Sequence, residues 1–239
     1  MALDTATYGK QSGSRTYGAT RARVEDYFDR TATKTWAALT SDAPVSRVRR
    51  TVRAGRDRMR AVMLDRLPED LTGARVLDAG CGAGQMTTEL AARGAAVTAV
   101  DISPSLVEIA EARLPEHLRP RVRFTAGDML DPAHGPFDYV IAMDSLIYYT
   151  APDIADALAR LGDRCAQSVV FTVAPRTPFL MAFWLAGKAF PRSDRSPVMI
   201  PHAAERLDAH AQGAVRRIER VTSGFYISEC LEHRAGGSA

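Results

Sequence analysis

From Ala74 onward the chain alternates short apolar runs with stretches of helical period. Arg75-Val76-Leu77-Asp78 is a short apolar run closed by an acid, and the glycine-rich turn Ala79 to Gly84 follows it. A helix is expected from about Gln85 to Arg93, then a second strand over Ala95 to Val100 with Asp101 at its end. Ser103-Pro104 is a capping residue followed by proline at the first helical position, so a helix starts there and ends near Leu114. The third strand is Val122 to Ala126, followed by Gly127-Asp128-Met129. The fourth is Phe137 to Met143, ending at Asp144. A helix is expected over Pro152 to Cys165 and a fifth strand over Ser168 to Val173. Val215 to Thr222 and Phe225 to Leu231 read as a final antiparallel pair. Strands that alternate with helices predict an α/β fold, a doubly wound seven-stranded sheet with helices on both faces.

Two segments fall outside that alternation. Residues 1–20 are rich in Ser, Thr and Gly and read as a mobile segment, and residues 21–66 read as helices. Val45, Val48, Val52, Met59 and Val62 recur at near-helical spacing among many arginines, which makes a basic amphipathic helix. The other segment is an insert after the fifth strand, about 175–212, with Phe179, Leu180, Met181, Phe183, Trp184, Leu185 and Phe190. The expected organisation is an N-terminal extension, 1–66, and a core, 67–239, that carries the insert.

Composition adds little to this picture, but charge adds something. The 239 residues are 46% hydrophobic and 25% charged, as in an ordinary globular domain. The net charge of +3 is uneven: residues 1–66 hold 14 Lys/Arg against 7 Asp/Glu, residues 67–150 hold 6 against 12. A basic face of this kind is either a solvated helix surface or a contact for an anionic partner. The longest apolar stretch, Phe179 to Ala186, is shorter than the ~20 residues that span a bilayer. The N-terminus is polar where a signal peptide has its apolar core. The expectation is a soluble cytoplasmic protein. Cys81, Cys165 and Cys230 lack zinc-ligand spacing, and their odd number argues against a disulfide framework.

Open α/β sheets bind ligands at the carboxyl ends of their strands. The distinctive residues fall there: Asp78 to Gly84, Asp101, Asp128 and Asp144. Gly80 and Gly82 allow a tight turn and close approach to bare backbone. Asp101 is placed to accept from two ribose hydroxyls and Asp128 from an exocyclic adenine amine. Met129 offers a backbone N–H and an apolar side chain, and Asp78 is suited to the turn or to an ammonium. A dinucleotide fingerprint is G-x-G-x-x-G, whereas Gly80, Gly82 and Gly84 stand at alternate positions with Gln85 in the third dinucleotide place. Each signal alone is weak; their order along the strands makes the set strong.

Val76-Leu77-Asp78-Ala79-Gly80-Cys81-Gly82-Ala83-Gly84 resembles the first motif of the class I S-adenosylmethionine-dependent methyltransferases. Val100-Asp101-Ile102-Ser103 resembles their ribose segment, and Gly127-Asp128-Met129 their adenine segment. A wider resemblance runs through nearly the whole chain. Val24 to Trp36, Val52-Arg53-Ala54-Gly55-Arg56, Asp144-Ser145-Leu146-Ile147-Tyr148-Tyr149 and Ser223-Gly224-Phe225-Tyr226-Ile227-Ser228 look like segments of the magnesium-protoporphyrin IX methyltransferase family of bacteriochlorophyll-making bacteria. It departs at Tyr148, where relatives from oxygenic organisms tend to carry histidine.

The resemblance implies a class I methyltransferase sheet that binds S-adenosylmethionine and releases S-adenosylhomocysteine. It implies methylation of one propionate of magnesium protoporphyrin IX in chlorophyll and bacteriochlorophyll synthesis. The expected cofactor residues are Tyr27, Trp36, Asp78, Gly80, Cys81, Gly82, Asp101, Ile102, Ser103, Asp128, Met129, Met143 and Asp144. Tyr27 and Tyr148 are the expected acceptor-side residues. The helical N-terminus is suited to fold over the cofactor as a lid, and the insert to wall the acceptor pocket. Arginines 47, 49, 50, 53, 56, 58 and 60 are suited to an anionic propionate. No nucleic-acid partner is expected. The basic helix leaves open contact with a membrane surface or a magnesium-chelatase subunit.

A propionic acid titrates near ~4.3 and is already ionised at neutral pH, so its methylation needs no general base. A quinol or phenol near ~10 needs one. A quinone or phenol O-methyltransferase is therefore the alternative, and a non-catalytic cofactor-binding protein is the third reading. His117, His134 and His233 are expected in loops or the tail, and His202 is the one histidine placed to reach an acceptor.

Overall fold

The computed structural model describes residues 5–29, 46–189, 197–211 and 215–234, with side chains from Thr16 onward and, in the insert helix, up to Ala186. The sheet follows the order β3-β2-β1-β4-β5-β8-β7. Its strands are β1 (Arg75–Ala79), β2 (Ala96–Asp101), β3 (Val122–Ala126), β4 (Phe137–Ala142), β5 (Cys165–Pro175), β7 (Val215–Ser223) and β8 (Tyr226–Arg234). The first five are parallel, and β8 runs antiparallel to both β5 and β7. The seven expected strands are all present. A two-residue strand, β6 (Pro201–His202), was not foreseen and pairs with the end of β5.

Alternation along the strands explains the two-sided core. Leu77, Val140 and Val169 face one apolar cluster, while Val76, Ile141 and Val170 face the other. The helices α1 (Thr5–Tyr27) and α5 (Ala151–Gly162) cover the first face. On the second, α2 (Arg47–Leu64) and α3 (Gln85–Ala92) bury Met59, Met63 and Leu90. The helix α4 (Pro104–Arg113) starts as expected, with the Ser103 hydroxyl accepting from Leu106 N at 3.3 Å and proline in the first turn. The insert carries α6 (Pro178–Ala189), and α7 (Ala204–His210) follows β6.

Three expectations are corrected. The Ser/Thr/Gly-rich start, which was expected to precede the helices, is itself helical from Thr5. Tyr17, Thr20 and Val24 are buried, and Thr16 Oγ1 donates to Asp153 Oδ1 of α5 at 2.7 Å. The helix expected to reach Cys165 ends at Gly162, and Cys165 opens β5. His233, expected in the tail, is a buried residue of β8.

No helix among the described residues is long and apolar enough to cross a membrane. The exposed large apolar residues are concentrated on α6, with Phe179, Phe183 and Leu185 all more than half exposed.

Candidate functional site

The sheet order reverses between β1 and β4, and the main cleft opens at the carboxyl ends of the strands beside that point. The space between its walls, open solvent included, is about 920 Å³. Along its floor run Asp78 near the end of β1, Gly80, Cys81 and Gly82 after it, Asp101 and Ile102 at the end of β2, and Asp128 and Met129 after β3. Met143, Asp144 and Tyr148 follow β4. Ten of the thirteen expected cofactor residues therefore line one cleft.

The other three do not stand in that lining. Ser103 is fully buried, its hydroxyl capping α4 and donating to Asp29 Oδ1 at 2.5 Å. Tyr27 stands one residue short of the wall: Phe28 lines the cleft, and the Tyr27 ring meets Phe28 edge-on at 5.3 Å. Trp36 and the rest of residues 30–45 lie outside the described residues. The insert residues Phe179 to Leu185 are also absent from the lining, so the described cleft is not walled by α6.

Two carboxylates are placed with acceptor capacity to spare. An ionised carboxylate has about four lone-pair directions. Asp101 accepts from Gly82 N at 2.8 Å and from Ser103 N at 2.9 Å, with the Ile102 N–H also turned to it. Burial, and to a lesser degree the Asp29 charge, raises its pKa, and the backbone N–H groups of Ser103, Gly82 and Ile102 oppose the rise. Asp128 uses three: Tyr17 Oη donates to Oδ1 at 2.8 Å, Leu130 N to Oδ1 at 2.9 Å and Arg21 Nη1 to Oδ2 at 2.8 Å. Tyr17 also stacks on Tyr149 at 4.8 Å. Thus α1 closes the adenine end expected at Asp128. Sequence reasoning missed Tyr17 and Arg21, although Tyr17, Arg21, Val24 and Phe28 recur at helical spacing and all line the cleft.

Asp78 is buried with its carboxylate accepting from Thr87 Oγ1 at 2.5 Å. Burial pushes its pKa up to about 7; the Asp101 charge adds to the rise, and the Thr87 bond opposes it. A cation beside it favours the ionised form. Burial and the carboxylates of Asp101 and Asp78 raise the Cys81 thiol, which is therefore an apolar wall rather than a nucleophile.

The opposite end of the cleft holds Arg56, Arg60, Asp144, Ser145 and Tyr148. Asp144 has φ +57°, the one non-glycine residue with positive φ among the described residues. Such a conformation costs of order 1–3 kcal/mol and persists where surroundings overdetermine it. Asp144 N donates to Thr172 Oγ1 at 2.7 Å, Tyr226 Oη donates to Asp144 Oδ1 at 3.2 Å, and Arg56 pairs with Oδ2. Arg60, 16% exposed, donates to the half-exposed Asp57 at 2.7 Å. Burial, then the Asp144 charge, raises the Tyr148 phenol far above its usual value, so it stays a hydrogen-bond donor. The ring of Tyr148 meets Phe28 edge-on at 6.4 Å.

Among the described residues no histidine lines this cleft. His202, the expected candidate, is buried with Nε2 2.9 Å from Tyr149 O, and burial lowers its pKa. Of the α2 arginines, 47, 49 and 50 are exposed and only 56 and 60 reach the cleft.

Comparison with known proteins places these features in context. Residues 142–235 match the family described as the C-terminus of magnesium-protoporphyrin IX methyltransferase, and residues 76–167 match a methyltransferase domain. A magnesium-protoporphyrin O-methyltransferase from Rhodobacter capsulatus is 65% identical over 91% of this chain and 98% of its own length. The crystal structure of magnesium protoporphyrin IX methyltransferase from Synechocystis PCC 6803 with bound SAH superposes with a TM-score of 0.74. It is 26% identical and covers 89% of this chain and 98% of that one. A ubiquinone biosynthesis O-methyltransferase from Xylella fastidiosa is 40% identical, but over 48% of this chain and 47% of its own length.

Proposed function

Because the chain belongs to the magnesium-protoporphyrin O-methyltransferase family, we propose that it transfers the methyl group of S-adenosylmethionine to a propionate carboxylate of magnesium protoporphyrin IX, in chlorophyll and bacteriochlorophyll synthesis. The observation that carries this reading is the make-up of the acceptor end. Among the described residues it offers two arginines and a neutral phenol, Arg56, Arg60 and Tyr148, and no histidine to act as a base. That set suits an acceptor which arrives already ionised.

When bound, S-adenosylmethionine supplies a methyl group on a positively charged sulfur. The remaining work is binding and alignment, which in well-oriented reactions contributes ~7–11 kcal/mol. The Asp101 carboxylate, at the end of β2, accepts from the ribose hydroxyls, and the lone-pair direction left on Asp128 matches an adenine amine. Cys81, Ile102, Met129 and Met143 give apolar walls. Asp78 takes the ammonium group. The helix α1 is the lid, through Tyr17 and Arg21. Arg56 is held by the buried side chain of Asp144 and Arg60 by the half-exposed Asp57, the weaker tie, so Arg60 is the cation assigned to a propionate. Tyr148 is the first acceptor-side hydrogen-bond donor, with Tyr27 behind it. The exposed arginines of α2 and the apolar face of α6 support peripheral contact with an anionic membrane or with a magnesium-chelatase subunit. Co-sedimentation with anionic vesicles, and with that subunit, reads this out.

Asp78 gives a proton-linkage prediction. Its folded pKa of about 7 lies above the ordinary 3.8. Below about pH 7 the ligand-free protein holds the carboxyl protonated, and an ammonium bound beside it favours the ionised form. Donor binding at pH 6.5 should therefore release a proton, and Asp78→Asn should abolish the release. Calorimetry in buffers of different ionisation heat measures this. Equal proton release by wild type and variant would remove Asp78 from the ammonium role.

The acceptor chemistry is tested by the pH profile. With saturating donor and subsaturating acceptor, the rate should be nearly flat from about pH 6.5 to 8.5, because a group titrating near ~4.3 is ionised throughout. Each single histidine substitution should leave substantial turnover. A steep log-linear rise with pH, abolished by one histidine substitution, would replace this reading with the phenol or quinone one.

A further inference from the structure

The acceptor end of the cleft is held from outside by residues that do not all face it. The loop 144–149 carries Ser145 and Tyr148 into the cleft. Its downstream half is fastened to the chain after the insert. Ile200 N donates to Ile147 O at 2.9 Å, and His202 Nε2 lies 2.9 Å from Tyr149 O. Its upstream end is Asp144 alone, in the left-handed conformation. Three elements distant in sequence converge there: Arg56 from α2, Thr172 from β5 and Tyr226 from β8.

The convergence depends on close backbone approach. Any Cβ at Gly55 would stand 2.6 Å from Tyr226 Cδ1 and 2.9 Å from Tyr226 Cβ. Ser223 Oγ donates to Thr51 O at 2.8 Å and draws the β7–β8 hairpin onto the same turn of α2. Three of the four segments that carried the wider resemblance, 52–56, 144–149 and 223–228, thus meet at one carboxylate. Tyr226 is half-buried and does not stand in the cleft lining, yet its hydroxyl reaches Asp144. Burial and the Asp144 charge keep that phenol protonated and donating.

We propose that Tyr226 and Arg56 are positioning residues for methyl transfer: through Asp144 they fix the loop that presents Ser145 and Tyr148 to the acceptor. This rests on the functional reading above. The loop is short, and a misplacement of ~1 Å at a reacting centre costs ~100-fold in rate. The effect therefore falls on turnover. The donor end, at Asp101 and Asp128, is built on other strands and is left intact.

The test is a double-mutant cycle of Tyr226→Phe and Asp144→Gly, glycine being the residue that accepts positive φ without strain. Tyr226→Phe should lower kcat about tenfold, the order of one hydrogen bond to a charged group. Its KM for the acceptor and its S-adenosylhomocysteine affinity should stay within about twofold of wild type. In the Asp144→Gly background the same substitution should cost nothing further. An unchanged kcat in Tyr226→Phe, or losses that multiply in the double variant, overturns the proposal. So does a fall in S-adenosylhomocysteine affinity matching the fall in kcat, which marks general unfolding. If Asp144→Gly does not fold, the kcat-against-affinity split of Tyr226→Phe decides by itself. Wild-type turnover of magnesium protoporphyrin tests the underlying reading first. The cycle is run on whichever acceptor wild type methylates, so the two failures stay separate.

Discussion

Asp101→Ala weakens S-adenosylhomocysteine binding by at least about 100-fold. Two hydrogen bonds from ribose hydroxyls to an ionised acceptor are each worth ~1.5–3 kcal/mol, and ~3 kcal/mol is on the order of 100-fold in affinity. The loss has a second source. Asp101 also accepts from Gly82 N and Ser103 N, so its removal frees the glycine turn from the end of β2. Asp101→Asn keeps the shape and one acceptor oxygen and should lose clearly less. Calorimetry measures both. Wild-type affinity in the alanine variant would remove Asp101 from the ribose site.

Asp128→Ala carries the second large effect, because two functions share one carboxylate. It removes the adenine acceptor and also the partner of Tyr17 and Arg21. Donor affinity should fall by on the order of 30-fold or more, from one lost charged hydrogen bond and an unfastened lid. Hydrogen exchange in residues 16–29 should quicken in the ligand-free variant. Tyr17→Phe separates the two contributions: it should quicken exchange in the same helix while reducing donor affinity less. If exchange there is the same in wild type and Asp128→Ala, the carboxylate does not hold the lid.

The strand ends were legible because their signals are local. An apolar run closed by an acid or a glycine turn states both the strand and where it stops, and this placed Asp78, Asp101, Asp128 and Asp144 in one cleft. The helix α1 was not legible, because its inward stripe is polar. Thr16, Tyr17 and Arg21 hold it through hydrogen bonds to Asp153 and Asp128, and of the three only Tyr17 is buried. Hydropathy does not register such a face. The same cause hid the end of β8. Glu229 and Glu232 are almost fully buried there, paired with Arg217 and Arg220 and with Arg66 and Arg216. Buried acids break the alternation that marks a strand, so His233 read as tail. The Arg56–Asp144–Tyr226 convergence joins positions up to 170 residues apart in the chain. The segments were visible as resemblances, but only the fold brings them to one point.

The central claim is that a carboxylate of a magnesium porphyrin is esterified. The direct measurement is incubation of the purified protein with S-adenosylmethionine and magnesium protoporphyrin IX, with product mass and methyl-ester content read together. The account predicts a single methyl ester formed in step with S-adenosylhomocysteine. Failure to methylate magnesium protoporphyrin, with methyl transfer to a phenol or quinol under the same conditions, would contradict it.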